Sequence, residues 1–528
     1  MLLEMSKKQV LALSLLLSGS LSLFARAEVI ESDVCVFGAT SCGVVAAVQS
    51  GRLGKKVVLA ELGHHVGGMT SGGLSQTDIG NKAAIGGIAR EFYQRMGKHY
   101  GTNEVWKLEP SVAESVFKQM LSESGVLVYF DQRLSSVKKK KGRITEIKME
   151  GGTVFRASEF IDASYEGDLM AKAGVSYTVG REANSQYGET LNGVREHTPK
   201  HQFTVLVDPN VKPGVAKSGL VQWIQNQPMG TGGAGDRSVQ AYNFRLCLTQ
   251  NPTNKLPIQP PPDYRESDYE LLARYIEALV AAGKAPKLGQ MMHIQPMPNG
   301  KTDINNNGAF STDFIGENYD YPEASYRRRF EIWKAHEDYT RGFLHFLATS
   351  SRVPESIRTE MQSWGLCRDE FKDTGGWPHQ LYIREARRMV SDVVMTENHC
   401  RAKETVSDPV GLAAYQMDSH NCRRIVRDGH VENEGDVQVP PMKPYPISFR
   451  SIVPKQKECE NLIVPVCLSA THIAYGSIRM EPVFMVLGHS AATIAAAAID
   501  EHTAVQTVNY PHLRDRLLKQ SQVLEWKP

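Results

Sequence analysis

Gly38, Gly43 and Glu61 are spaced as the binding of a dinucleotide requires. Gly38-Ala39-Thr40-Ser41-Cys42-Gly43 follows the apolar run Val34-Cys35-Val36-Phe37 and leads into the small-residue segment Val44–Gln49. A first glycine permits a tight turn, and small side chains let the backbone approach a pyrophosphate. The free N–H groups at a helix start attract its charge. A second apolar run, Lys56-Val57-Val58-Leu59-Ala60, ends on Glu61, whose carboxylate is placed to accept hydrogen bonds from an adenosine ribose. Thr40 stands where the pattern has its middle glycine. The elements that must position these groups are a buried strand, a helix and a second strand, one βαβ unit at the front of the chain.

A second glycine-rich stretch leaves the Glu61 end: Gly63-His64-His65-Val66-Gly67-Gly68-Met69-Thr70-Ser71-Gly72-Gly73. So dense a run of glycines suits neither helix nor strand, and it lets the backbone lie against a flat ligand. Ile88–His99 and Ser111–Ser124 read as helices, and Val126–Phe130, Ser135–Lys140, Arg143–Met149 and Thr153–Ala157 as short strands. The Lys138–Lys141 run before Gly142 reads as a solvated hairpin tip. Phe160-Ile161-Asp162 is a further strand ending on an acid placed to hold a ribityl or phosphate-side hydroxyl. Asp168 is the expected cap of the helix Leu169–Ala173.

With 528 residues the chain exceeds a single ordinary core. Lys7 and Lys8, the apolar stretch Val10–Phe24 and Ala25-Arg26-Ala27 read as a signal peptide over 1–27, which implies export and no stable membrane span afterwards. Those residues carry three cations against one anion, so the net charge of +2 for the whole chain becomes about zero without them. No basic patch of the kind that binds nucleic acid is present. From 183 to 454 prolines, aromatics and asparagines increase, which reads as an inserted α+β domain with helices near 266–283, 322–348 and 354–363. Apolar, small-residue sequence then returns, with Leu462–Val466 as a strand and Pro482–Asp500 as a helix apolar all round. The expected plan is an α/β fold: a discontinuous Rossmann-like nucleotide domain over 28–182 and 455–505, the insert over 183–454, and a tail over 506–528.

These features resemble the FAD-dependent oxidoreductases of the glutathione-reductase type. Within that group the chain is similar to an exported bacterial family, some members of which carry the label xanthan lyase. The resemblance rests on Gly38–Gly43 with Glu61, on Gly67–Gly73, on Ile161-Asp162-Ala163-Ser164-Tyr165-Glu166-Gly167-Asp168 and on Tyr382–Met389. It continues through Tyr445–Arg450 to Gly476-Ser477-Ile478-Arg479-Met480-Glu481-Pro482, and so covers nearly the whole mature chain. It implies FAD as cofactor. Gly38, Thr40, Ser41, Cys42, Gly43, Glu61, Gly67, Gly68, Met69, Asp162, Arg479 and Glu481 are the residues expected to hold it. It further implies that substrate reaches the flavin from the inserted side and that the start of the Pro482 helix faces the flavin pyrimidine edge.

In Asp418-Ser419-His420 an acid stands two residues before a histidine, which suits a proton acceptor for hydride transfer. Arg384, Arg450 and His472 complete the catalytic candidates, with Arg384 placed to orient a polar substrate; Arg387 and Arg388 read as ion-pairing partners between domains. The expected reaction is two-electron oxidation of a polar small molecule or carbohydrate-like substrate, with oxygen or a membrane carrier as electron acceptor. His64 and His65 flank the flavin loop without any spacing that demands a covalent bond.

Other readings compete. Gly488-His489-Ser490-Ala491-Ala492 imitates a hydrolase nucleophile elbow, which would make Ser490 a nucleophile. A binding protein or electron carrier that kept the fold without the chemistry is a third class. Asp303, Asn305, Asn307 and Gly308 match the opening of a calcium loop, but Phe314 occupies the position of its bidentate glutamate, so no metal is expected. Eight cysteines include no C-x-x-C, which argues against an iron–sulfur cluster; Cys400 with Cys422 is the preferred disulfide, and Cys35 and Cys42 read as small core residues.

Overall fold

Strand β1 (Val29–Phe37) sends alternate side chains into two apolar cores. Val34 and Val36 enter one, Cys35 and Phe37 the other. The computed structural model describes residues 28–527, so the expected leader lies outside the described residues. β2 (Val57–Ala60) divides its side chains in the same way, as a parallel strand covered on both faces must. β1 pairs in parallel with β2 on one side and with β6 (Val154–Asp162) on the other, in register Phe37↔Ala60 and Phe37↔Asp162. β3 (Leu127–Tyr129) adds in parallel to β2. The hairpin β4 (Leu134–Lys140) and β5 (Arg143–Met149) turns at Lys141 and Gly142, both at positive φ, and β5 runs antiparallel to the start of β6.

β6 differs from the expectation of two short strands. It is continuous over nine residues. Arg156 and Glu159 interrupt its apolar pattern, but β1 pairs along nearly its whole length and the other edge is paired at both ends. Val154 and Phe155 meet β5, while Phe160 and Ile161 meet Leu462–Ile463, a parallel strand from far along the chain. Helix Ser41–Arg52 and the buried helix Glu481–Glu501 cover one face of the sheet together. They cross closely at Gly488, where a Cβ would stand 2.3 Å from the Cys42 carbonyl oxygen. Glu481–Glu501 is long and apolar enough to span a membrane, yet 94% of its most apolar stretch is buried within the protein.

Between these parts lie, among the described residues, a five-stranded antiparallel sheet, four two-stranded ribbons and the helices Glu270–Ala281, Tyr326–Thr349 and Glu355–Ser363. The sheet order is Met292–Met297, Lys301–Asn306, Leu248–Thr249, Gly365–Cys367, Lys255–Leu256. The main apolar core runs without a break from Val34 of β1 to Phe343 of Tyr326–Thr349.

The segment that imitates the opening of a calcium loop is a strand, Lys301–Asn306, with Asp303 buried in a bidentate pair with Arg245 at 2.8 Å. One expectation is corrected here. Cys400 and Cys422 are separate buried thiols without a bond to each other.

Candidate active site

The turn after β1 is held by its own side chains. Gly38 has φ +95°, and a Cβ at Gly43 would stand 1.9 Å from the Gly38 carbonyl oxygen. Thr40, at the place of the middle glycine, is the N-cap of Ser41–Arg52. Its Oγ1 accepts from the Gly43 N–H at 3.2 Å and donates to the Ala163 carbonyl at 2.8 Å. The hydroxyl therefore anchors the turn to the end of β6. Gly67 N–H donates to the Ala39 carbonyl at 2.7 Å, which fastens the second glycine loop to the first.

Glu61 lies at the mouth between these loops. Its carboxylate accepts from Ala39 N–H at 2.6 Å and Gly63 N–H at 2.7 Å. Burial raises its pKa, and the two amide donors oppose that rise. A cavity of about 320 Å³ opens here, lined by Gly38, Thr40, Glu61, Gly68, Tyr165 and Gln380 among others. It lies at the carboxyl ends of β1, β2 and β6, where parallel α/β sheets bind nucleotides.

Behind the second loop, Tyr165 OH accepts from Met69 N–H at 2.8 Å and donates to Glu481 at 2.7 Å, while Thr70 donates to the other Glu481 oxygen at 2.8 Å. Burial raises the Glu481 pKa. Glu481 begins the long core helix, and Arg479 stands just before its N-cap, Met480. Arg479 donates to Tyr382 OH at 2.8 Å and to the Asp418 carboxylate at 2.9 Å. Arg479 and Arg384 both lie against the Tyr382 ring, at 5.6 and 4.7 Å from its centroid.

Beyond this ring stands His420, 9% exposed, between two carboxylates. Its Nδ1 is 2.7 Å from Asp313 and its Nε2 is 3.4 Å from Asp418. Arg384 approaches Asp313 at 3.0 Å. Burial and the Arg384 charge disfavour the imidazolium, but Asp313 and Asp418 outweigh them and raise the His420 pKa. Burial would raise the Asp418 pKa, yet His420, Arg479 and Arg384 bring it down to about 2. Asp418, His420, Arg384 and Arg479 thus form one polar cluster. None of the four lines the cavity; the chain links the two through Gln380, which lines the cavity two residues before Tyr382 and packs against Gly72, where a Cβ would meet Gln380 Cβ at 2.4 Å.

Other candidates lie elsewhere. The Arg450 side chain is 52% exposed and pairs with Asp408 at 2.9 Å, outside the cluster. His472 is held with Nδ1 at 2.9 Å from Glu385 and Nε2 at 2.9 Å from the Ser419 hydroxyl, so both ring nitrogens are occupied. Asp162 is fully buried and does not line the cavity; it accepts from Ser164 N–H at 3.1 Å and Met170 N–H at 2.8 Å. Asp162 therefore ties down the helix that Asp168 was expected to cap. The helix has Gly167 as N-cap, and Asp168 pairs with Arg329 at 2.6 Å and Arg387 at 2.7 Å. Arg388 pairs with Glu182 at 2.8 Å. Ser41, Cys42, Gly43 and Met69 pack behind the cavity wall as buried residues. His64 is exposed, and His65 stacks on His379 with ring centroids 3.7 Å apart at the Glu61 end.

Ser490 lies in the middle of the core helix, fully buried, and donates to the Val410 carbonyl at 2.6 Å. A nucleophile elbow needs a strand-to-helix turn, so the hydrolase reading fails. Asp313, Tyr321 and Trp333 were not singled out beforehand, because each reaches the site from the inserted part without a local motif. Among the described residues no cluster suited to a metal ion is present.

Fold and site together define a dinucleotide-binding α/β enzyme. The chain belongs to the family of FAD dependent oxidoreductases, whose pattern matches residues 33–517, and its cofactor is FAD. No curated protein sequence matches it. Among solved structures it is similar, at 16% identity, to a 3-ketosteroid-Δ4-(5α)-dehydrogenase from Rhodococcus jostii RHA1, over 28% of this chain and 48% of that one, with TM-score 0.20. An L-amino acid deaminase from Proteus vulgaris gives 17% identity over 29% and 52% of the two chains, with TM-score 0.22. THI4 from Thermovibrio ammonificans gives 17% over 36% and 81%, with TM-score 0.23. The matched part spans about half the length of the dehydrogenase and of the deaminase.

Proposed function

We propose that the enzyme oxidises a C–OH centre of a polar, carbohydrate-like small molecule, with His420 taking the hydroxyl proton as hydride leaves the carbon. The observation that carries this reading is the buried imidazole between Asp313 and Asp418, beside Arg384 and Arg479. When bound, FAD supplies a two-electron acceptor. The glycine turns fit it. Gly38, Thr40 and Gly68 line the cavity, and a Cβ on Gly68 would lie 2.3 Å from Tyr165 OH, so only glycine lets this loop pack against that ring and still face the cavity. Glu61 would take the ribose hydroxyls and the start of Ser41–Arg52 the pyrophosphate, while Glu481 supports the second glycine loop from behind through Tyr165 and Thr70.

Asp313 fixes the imidazole through Nδ1 and raises its basicity, and in the neutral ring Nε2, which faces Asp418 at 3.4 Å, is the nitrogen that takes the substrate's proton. Arg384 and Arg479 orient substrate oxygens against the Tyr382 ring. Arginine and aspartate alternate in this cluster, which favours a neutral, hydroxyl-rich substrate over a strongly charged one. The strand order around β1, closed by Leu462–Ile463, supports the glutathione-reductase-type plan. Lys7, Lys8, Val10–Phe24 and Ala25-Arg26-Ala27 support action after export.

The test is anaerobic mixing of the FAD-loaded enzyme with panels of sugars, other alcohols and amines. Bleaching of the flavin by hydroxyl compounds supports the reading. Bleaching by amines alone overturns the substrate class.

A further inference from the structure

We propose that Cys247 and Cys367 form a disulfide that cross-links the inserted sheet. Cys247 immediately precedes the strand Leu248–Thr249, and Cys367 ends the antiparallel strand Gly365–Cys367, with Leu366 opposite Leu248. The two cysteines are the next opposed pair. Cys367 N–H donates to the Cys247 carbonyl at 3.3 Å, and the two sulfurs stand 3.4 Å apart. Directly opposed residues of an antiparallel pair have Cα atoms about 4.5–5.5 Å apart, within the range a disulfide bridges. Both side chains are buried and pack with Phe371 in a small cluster separate from the two main cores. Among the described residues no other two cysteine sulfurs are within hydrogen-bonding distance.

The bond would join two segments that reach the active site. From Cys367 the chain runs through Glu370, which accepts from Lys301 at 2.6 Å and Ser111 N–H at 2.8 Å, to Asp373, Thr374, His379 and Gln380 on the cavity wall. Cys247 lies two residues after Arg245, whose carbonyl abuts Gly73. In forming the bond, two S–H bonds break and one S–S bond forms. Two protons and two electrons pass to an external disulfide such as oxidised glutathione, which becomes two thiols. The sulfurs are buried once the sheet has closed, so the exchange takes place during folding.

The test uses the full chain in two preparations, one secreted into an oxidising compartment and one refolded in a glutathione redox buffer. Each is denatured with iodoacetamide, digested without reductant and mapped by mass spectrometry. The expected result is alkylation of six of the eight cysteines, with a Cys247–Cys367 peptide pair that dithiothreitol separates. Alkylation of all eight in both preparations, or a link through other cysteines such as Cys400–Cys422, overturns the assignment. Because the map reads covalent linkage alone, it is independent of whether any substrate reduces the flavin.

Discussion

An imidazole between two carboxylates has its ring orientation and its basicity set together. At His420, Asp313 and Asp418 do both, and Arg384, His201 and Asp436 are the other titrating or charged groups around it. Its raised pKa has a definite sign. The ring stays protonated to higher pH than a free histidine, so a base role requires kcat/KM to rise with pH through a midpoint above the ordinary value of about 6.5. Asp313→Asn removes one raising charge and moves that midpoint down, which a pH–rate profile reads directly. Glu61→Gln weakens the carboxylate's hydrogen bonds to ribose at a cost of about 1.5–3 kcal/mol, or roughly 10- to 150-fold in FAD affinity by equilibrium dialysis. Asp418 and His420 were legible in the sequence because they are two residues apart. Asp313 was not, being 107 residues from His420 and brought there only by folding.

The βαβ unit was read from its pattern because Val34–Phe37 and Val57–Ala60 are continuously apolar and the helix is small-sided, while Glu31-Ser32-Asp33 hid the first half of β1. Thr40 shows how a departure from the motif survives: its hydroxyl caps the helix and grips β6. Gly43 has no such freedom. Gly43→Ala puts a methyl 1.9 Å from the Gly38 oxygen, so the turn must open. The expected cost is about 1–3 kcal/mol of stability, with FAD lost on gel filtration. Arg450→Ala is the contrast: the arginine is half exposed and the buried Asp408 keeps its hydrogen bond from Ser448, so the cost should be about 1 kcal/mol, and flavin reduction should proceed unchanged in the stopped flow. Periodicity missed the continuity of β6, since its exposed Arg156 breaks the pattern and its pairing with Leu462–Ile463 spans some three hundred residues.

Across the whole molecule, the inserted part is bound to the nucleotide sheet by a shared core and by Asp168, clamped between Arg329 and Arg387. Burial alone would raise the Asp168 pKa, but Arg329 and then Arg387 hold it below the usual carboxylate range. A depressed folded-state pKa stabilises at pH above the unfolded value of about 3.9 and loses that contribution as pH falls through the folded one. Thermal unfolding should therefore show a loss of midpoint on acidification that Asp168→Asn lacks in this window. Arg329→Ala leaves a buried carboxylate short of one partner and should cost about 3–5 kcal/mol. The arrangement of the inserted part was not legible in advance, because its short strands and long loops carry little periodicity.

Single-turnover reduction of the bound flavin by its best substrate, compared between the wild type and His420→Ala under anaerobic conditions, tests the account most directly. The expected result is a variant that retains FAD, is bleached normally by dithionite, and loses about 10²- to 10⁴-fold in the substrate-driven rate. A variant that substrate bleaches as fast as the wild type would contradict it.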